Sequence, residues 1–385
     1  MSDKFISLIL SLLFFFLAFG EFDPIFGIRA AFNSVDVLII ILIPLIFLLY
    51  YEKFLTKLNI NLVYLLFILF ILYLSSTLYG YSSYEKPSFN FKLLLCIILY
   101  YSLVTLYREK PFYIYYSLIA YSIGCLVFIV LLHTVYSSEL QFNKGRLLAF
   151  GENPNSTSSR LTIAMVFLIY LVLNWPFRIK LLKYLALSLS VPIFYVILQS
   201  GSRGSLISVL FSAIILVFFS NIKSSYKLLI ILLCILIYPI FISLLSDAGS
   251  IYERLVASIQ EKDLAGRDEI WSAALDITYR HPLIGAGEAG YFHEVYMLTG
   301  KYVDTHNLAL YLLATSGVIG FISFCIFYKK IFLNALYYFK IKDVLPMVLL
   351  LNVTLISLKT GGSLTYLIMW VIFAMVYAYS YKSNG

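Results

Sequence analysis

The chain has 385 residues, of which 62% are hydrophobic and only 12% are charged. Soluble domains carry about 25% charged residues, and one globular core of this length would leave a large apolar exterior facing water. The composition therefore excludes a soluble globular protein and predicts a membrane protein. The net charge of +8 comes without a basic cluster or a nucleic-acid-binding motif, so we expect no nucleic-acid partner.

Apolar segments long enough, or nearly long enough, to cross a membrane recur along the whole chain. The predicted helices are Ile6–Phe19, Val37–Tyr51, Leu62–Tyr79, Phe91–Tyr107, Phe112–Leu132, Leu161–Leu173, Leu181–Leu198, Leu206–Phe219, Leu228–Leu245, Leu308–Tyr328, Val344–Leu358 and Leu364–Tyr379. The first could instead be a signal peptide ending near Gly20, although a single Lys4 in front of it favours a retained helix. We predict an all-α polytopic membrane protein with about twelve transmembrane helices, forming one membrane domain over residues 1–385.

The placement of Lys and Arg predicts the orientation of the chain in the membrane. The loops on one side are short and strongly basic, as shown by Lys53 and Lys57 in one loop and Arg178 and Lys180 in another. Short basic loops stay in the cytoplasm. We therefore expect both termini in the cytoplasm.

The opposite side is predicted to carry one large polar loop over residues 246–305 and a smaller loop between His133 and Thr157. Within the large loop, apolar residues recur at three- and four-residue spacing, which predicts a short amphipathic helix. These residues are Ile270, Ala273, Ala274 and Ile277. The helix is expected to begin at Arg267, to lie on the membrane surface with Trp271 as an anchor, and to end at His281-Pro282.

Two arginines are candidate functional residues. Arg203 lies in the tight turn 199–205, at the mouth of two apolar helices, where a cation is costly unless it is satisfied or used. It could reach lipid headgroups or bind an anion. Arg267 opens the amphipathic helix, where it could instead form an ion pair with Asp263, Asp268 or Glu269.

His306 is the third candidate residue. It stands before an apolar helix in the sequence Asp304-Thr305-His306-Asn307. With Asp304 or Thr305 as the N-cap, His306 would lie in the first turn of that helix at the outer membrane surface. An imidazole in that place could act as a general base, or it could be structural.

Two other patterns do not support a cofactor. Residues 285–290 match the glycine pattern of a dinucleotide-binding loop, but no strand precedes them and no βαβ unit follows. We interpret them as a flexible turn. His281, His293 and His306 lack the spacing of metal ligands, so we expect no metal and no cofactor.

Taken together, these residues resemble the O-antigen ligase and polymerase superfamily of bacterial envelope glycan assembly. The resemblance runs from about Asn153 to Phe327. It rests on a set of short elements in a fixed order. They are Asn153-Pro154-Asn155, Ser202-Arg203-Gly204, Gly266-Arg267 with Trp271, His281-Pro282-Leu283-Ile284-Gly285-Ala286-Gly287, His306-Asn307 and Gly317-Val318-Ile319-Gly320.

The resemblance implies a metal-independent transferase of the bacterial inner membrane that takes a glycan from undecaprenyl diphosphate at the periplasmic face. His306 then resembles the catalytic base that activates the acceptor hydroxyl and inverts the anomeric carbon. Arg203 and Arg267 resemble the arginines that bind the diphosphate, and Arg146, Arg160 and Asn155 are further candidate contacts to donor or glycan. Guanidinium groups suit this task because they present paired donors to phosphate oxygens and stay charged.

The implied partners are an undecaprenyl diphosphate-linked oligosaccharide, membrane lipid, and an acceptor that is either a second glycan or the lipid A core. A regulator of chain length is a further candidate partner. A polymerase is favoured over a ligase only because polymerases are the larger branch. A flippase or transporter and a non-catalytic assembly partner are the other readings, but transporters usually hold ionisable residues near the midplane, and these spans are nearly free of charge.

Overall fold

The computed structural model describes residues 2–28, 33–56, 60–81, 87–143, 145–174, 181–220, 223–225, 227, 267–359 and 364–379. Helices dominate this part of the chain. The helices are α1 (Ser2–Leu17), α2 (Ser34–Leu49), α3 (Tyr51–Thr56), α4 (Ile60–Leu78), α5 (Pro87–Glu109), α6 (Tyr113–His133), α7 (Pro154–Leu173), α8 (Leu181–Gln199), α9 (Arg203–Phe219), α10 (Arg267–Arg280), α11 (Gly287–Thr299), α12 (Leu308–Lys340), α13 (Leu345–Lys359) and α14 (Leu367–Ala378).

Helices cover eleven of the twelve predicted spanning segments. The ninth segment, Leu228–Leu245, lies outside the described residues. Among the described helices, four are long and apolar enough to cross a membrane, namely Phe89–Glu109, Tyr113–His133, Pro154–Leu173 and Leu308–Lys340, and several others are apolar but shorter. The helical membrane architecture agrees with the prediction, while the count of twelve spans stays a prediction.

Two small hairpins interrupt the helical pattern. Strands β1 (Phe22–Asp23) and β2 (Gly27–Ile28) pair antiparallel, as do β3 (Leu140–Asn143) and β4 (Arg146–Ala149). The predicted loop between His133 and Thr157 therefore contains ordered structure. The rings of Phe22 and Phe150 stack with their centroids 4.0 Å apart, so one aromatic contact joins the ends of the two hairpins.

The chain divides into two compact units, each of which we describe by itself. The first comprises residues 1–44, 112–262 and 338–356. Within it α1 packs on α6, and α7 packs on α6, α8 and α9. Gly124 lets α6 approach α1 closely, since a Cβ atom there would lie 2.3 Å from the carbonyl oxygen of Phe15.

The second unit comprises residues 45–111, 263–337 and 357–385. Within it α14 packs on α5, α4 contacts α5 and α11, and α10 packs on α11. Its core contains the buried rings of Tyr100, Phe327, Trp370 and Phe373, which meet in edge-to-face and tilted contacts. The prediction of one membrane domain over the whole chain, with residues 246–305 as its periplasmic loop, stays a prediction.

The longest helix, α12, is broken at Gly317. This glycine has φ +62° and ψ −169°, a combination that is essentially restricted to glycine. The backbone of the turn between α10 and α11 lies against the break, with Gly285 at φ +68°. Three amides bridge the contact: Ala286 donates to Ala314 O at 2.9 Å, Val318 to Pro282 O at 2.9 Å and Ile319 to Leu283 O at 3.1 Å.

We call this contact between residues 282–286 and 314–319 the backbone joint. The joint gives a physical reason for two of the motifs that carried the family resemblance. The motif 281–287 supplies Gly285, and the motif 317–320 supplies Gly317. The interpretation of residues 285–290 as a flexible turn needs one correction, since helix α11 already begins at Gly287.

We predict that Gly317→Ala destabilises the protein far more than Gly300→Ala does. A Cβ at Gly317 would lie 2.4 Å from the backbone of Leu283, whereas a Cβ at Gly300 would meet nothing within 4 Å. Both glycines have positive φ. Alanine in the left-handed conformation of Gly300 costs about 1–2 kcal/mol, whereas at Gly317 the ψ of −169° disfavours alanine further, in addition to the clash. Thermal unfolding of the purified protein in detergent measures the difference; equal losses for the two variants would contradict the role of the joint.

Candidate active site

His306 lies in the segment that links α11 to α12, and its backbone has a left-handed conformation with φ +50°. Such a value is uncommon for a residue other than glycine. Asp304 accepts the backbone N–H of His306 at 2.8 Å through Oδ1. The same oxygen lies 2.7 Å from Nδ1 of the imidazole, at ion-pair distance although without the alignment of a hydrogen bond.

The predicted N-cap of α12, Asp304 or Thr305, is wrong by three or two residues. Asn307 caps α12, because its side-chain oxygen accepts the N–H groups of Ala309 at 3.0 Å and Leu310 at 3.2 Å. His306 therefore precedes the cap instead of lying in the first helical turn. Its ring is 28% exposed, which leaves it accessible from outside the unit.

The arrangement of Asp304 and His306 suits proton transfer. A carboxylate at ion-pair distance from Nδ1 attracts that side of the imidazole, which leaves Nε2 as the nitrogen available to take a proton. A partly exposed ring in that orientation can serve as a general base. The left-handed backbone at His306 is a local cost, and the surrounding hydrogen bonds maintain it.

Helix α10 holds the segment before His306 in place. Its apolar face is the predicted one, since Ile270, Ala273, Ala274 and Ile277 are all buried, and it ends at Arg280 as expected. Trp271, predicted to anchor the helix at the membrane, donates its indole N–H to the carbonyl oxygen of Thr305 at 2.9 Å. Arg267 occupies the first position of α10 and is half-buried.

A buried carboxylate, which the sequence did not reveal, lies under the turn that follows α10. Glu294 on α11 is 7% exposed. Its Oε1 lies 2.7 Å from His281 Nε2 and accepts the Tyr81 hydroxyl at 2.9 Å, and Arg280 donates to its Oε2 at 3.3 Å. Burial and this hydrogen bond raise the pKa of Tyr81 to about 12, so the hydroxyl stays a donor at neutral pH. No sequence signal singles out Glu294, because the same helix also contains Glu288 and His293.

In the first unit, the structure brings Arg146 and Asn155 together beside the turn that carries Arg203. Arg146 donates through Nε to the Ser200 carbonyl at 2.9 Å and through Nη2 to Asn155 Oδ1 at 2.8 Å. Arg203 is half-buried and opens helix α9 directly after its N-cap, Ser202. Three of the predicted site residues therefore lie in one neighbourhood.

The amino ends of α7 and α9 meet in this neighbourhood. Asn153 caps α7 by accepting the N–H of Asn155 at 2.9 Å, and Ser202 caps α9. The hydroxyls of Ser158 and Ser205, each in the first turns of its helix, are 2.8 Å apart and buried. Helix amino ends attract anions, so the surroundings of Arg203 favour negative charge.

Arg160 has partners inside the protein. It is 5% exposed and forms an ion pair with Glu152, which is 3% exposed. Its Nε donates to the Ala18 carbonyl at 3.2 Å, and its Nη2 lies 3.4 Å from the Phe19 carbonyl. These contacts tie α7 to the end of α1, and we therefore leave Arg160 out of the groups proposed to bind the donor.

Comparison with known proteins finds one matching family. Residues 188–325 match the model of the family described as O-antigen ligase. This match covers 138 of the 385 residues and supports the resemblance to the O-antigen ligase and polymerase superfamily. The matched region contains Arg203, Arg267 and His306, and it leaves out Arg146, Asn155 and Arg160. A comparison with curated proteins finds no match.

The match to the O-antigen ligase family and the apolar helices together support an integral membrane protein of lipopolysaccharide biosynthesis with glycosyltransferase-like activity. The family suggests, in general terms, a lipid-linked glycan and an acceptor as substrates.

We predict that Arg160→Ala strongly destabilises the protein, whereas Lys53→Ala does not. Removing Arg160 leaves the Glu152 carboxylate buried without its partner, which costs about 3–5 kcal/mol. Lys53 forms the matched exposed pair with Glu109, in which the lysine is 49% exposed, and exposed pairs contribute about 0–1 kcal/mol. The free energies of unfolding of both variants in detergent test this; a mild effect at Arg160 would mean that its buried pair contributes little.

Proposed function

We propose that the protein is an O-antigen polymerase, which transfers a glycan from an undecaprenyl diphosphate-linked donor to an acceptor sugar at the periplasmic face of the bacterial inner membrane. We also propose that both termini lie in the cytoplasm. The observation that carries the proposal is the pairing of Asp304 with His306 on a strained backbone, within the region that matches the family.

His306 is proposed to be the catalytic base. Its Nε2 takes the proton from the acceptor hydroxyl as the hydroxyl oxygen attacks the anomeric carbon of the donor sugar. The bond between that carbon and the diphosphate oxygen breaks as the new glycosidic bond forms, and the configuration of the anomeric carbon is inverted. Asp304, which lies 2.7 Å from Nδ1, is proposed to position the ring.

Arg203 is proposed to bind the leaving diphosphate. Its support is local: Arg203 opens a helix whose amino end attracts anions, and it lies in the same turn as Ser200, whose carbonyl Arg146 contacts. Arg146 and Asn155 are proposed to line the neighbourhood of the donor. For Arg267 the proposal of diphosphate binding rests on the resemblance alone. With guanidinium groups stabilising the charge of the leaving group, the reaction proposed here needs no metal.

An O-antigen ligase is the second candidate function. It is favoured by the description of the matched family, and it would use the same residues with the lipid A core as acceptor. The two functions differ in what accumulates when the gene is deleted. We expect surface glycan with a single repeat unit, because a polymerase is lost; bare core with accumulated lipid-linked polymer would instead assign the ligase. Gel electrophoresis of lipopolysaccharide from the deletion strain distinguishes them.

We predict that His306→Ala lowers the rate of glycan transfer by about 10²–10⁴-fold, the usual contribution of a general base, while binding of the lipid-linked donor is kept. Asp304→Asn should give a smaller loss, because it disturbs orientation and leaves the base in place. His133→Ala is the matched control, since His133 is an exposed histidine at the end of α6.

The measurements are transfer with the purified protein in lipid nanodiscs and binding of the labelled donor to the same samples. Transfer that survives in His306→Ala would eliminate the catalytic base. Absence of transfer by the wild-type protein, together with retained binding of the donor, would point to a flippase or an assembly partner.

A further inference from the structure

A cleft of about 730 Å³ opens between α10 and α11 in the second unit. Its volume falls within the range of about 300–1,000 Å³ that is typical of small-ligand sites. It is lined by Glu269, Ser272, Ala273, Leu275, Asp276, Tyr279, Leu298 and Thr299. None of the candidate residues from the sequence, and neither Asp304 nor His306, lines it.

Two carboxylates in the cleft are held by cations. Glu269 Oε2 accepts from the Lys301 ammonium at 2.7 Å, and this hydrogen bond and charge lower the pKa of Glu269. Asp276 forms an ion pair with Arg280, which also contacts the buried Glu294. Both pairs are exposed, and a carboxylate has two oxygens, so each side chain can accept a hydroxyl in addition to its cation.

Tyr279 supplies an aromatic face at the same cleft. Its side chain is 82% exposed, so most of the ring is accessible to a ligand. The exposed Leu275 and Leu298 lie beside it in the lining. An aromatic ring next to acceptors and hydroxyls offers an apolar surface and hydrogen bonds in one place.

We propose that this cleft binds the acceptor saccharide. A sugar presents hydroxyl groups around its rim and apolar C–H groups on its face, and both parts are matched by this lining. Two carboxylates disfavour a phosphate, and the mixture of carboxylates and hydroxyls with apolar groups disfavours a purely apolar lipid chain. The inference rests on the proposed function, because it names the place where the acceptor of that reaction is held.

Two residues in the lining of the cleft are close in sequence to residues that contact or continue into the His306 segment. Ser272 in the lining is adjacent to Trp271, whose indole donates to the Thr305 carbonyl. At the other wall Thr299 accepts the backbone N–H of Lys301 at 3.2 Å, and this is the segment that continues to His306. A saccharide in the cleft is thus held by the same two helices that flank the segment carrying the proposed base.

The test uses the full chain in nanodiscs and, as probe, the oligosaccharide repeat released from the surface glycan of a strain that carries this gene. We expect Tyr279→Ala to weaken binding of the probe at least about fivefold, the order of an aromatic contact, and Asp276→Asn to weaken it as well. Tyr279→Phe keeps the ring and should bind like the wild type. Tyr296→Ala is the matched control, because Tyr296 is an exposed tyrosine of α11 outside the lining.

Transfer kinetics give the second measurement. In Tyr279→Ala the KM for the acceptor should rise by the same factor as the Kd, with kcat little changed. Binding that is equal in Tyr279→Ala and Tyr296→Ala, absence of binding to the wild type, or displacement of the probe by inorganic pyrophosphate would each overturn the inference.

The outcomes separate this inference from the proposed function. If the probe binds in a Tyr279-dependent way while His306→Ala retains transfer, the saccharide cleft stands and the catalytic proposal fails. If His306→Ala loses transfer while Tyr279→Ala binds the probe as tightly as the wild type, the catalytic proposal stands and the cleft does not bind the acceptor.

Discussion

The backbone joint between residues 282–286 and 314–319 brings two stretches of main chain so close that no side chain fits between them. Glycine is needed on both sides, at Gly285 and Gly317, because each has a positive φ and faces backbone atoms. The joint fixes the end of α10 and the start of α11 against the first half of α12. The His306 segment connects α11 to α12, so its course is restricted by a contact that contains none of the candidate catalytic residues.

Charged groups serve two different purposes in this chain. The pair formed by Arg160 and Glu152 is almost fully buried and joins the end of α1 to α7, which makes it part of the framework. Arg146 is directed by Ser200 and Asn155 toward the meeting point of two helix amino ends. Burial and partners, which only the structure shows, distinguish an arginine that supports the fold from one placed where an anion is favoured.

The sequence predicted the helices well because each buries a long apolar segment, and the buried face of α10 followed directly from residue spacing. The N-cap of α12 was misplaced because Asp304, Thr305 and Asn307 are all capping residues, and the choice among them depends on a backbone turn at His306. The partner of Arg160 lies eight residues away across a helix start. The contacts of Glu294 come from two separate segments, one with Tyr81 and the other with Arg280 and His281, so neither cluster leaves a local pattern.

The break in α12 shows how a long apolar helix can be interrupted without leaving backbone groups unsatisfied. The helix comprises 33 residues, or about 50 Å at ~1.5 Å per residue, and an interruption normally exposes amides and carbonyls that require water. Here the Ala314 carbonyl and the Val318 and Ile319 amides are all satisfied by the neighbouring turn. Non-helical main chain is tolerated in a membrane protein where neighbouring protein satisfies its polar groups, so the break in α12 leaves none of these three groups dependent on water.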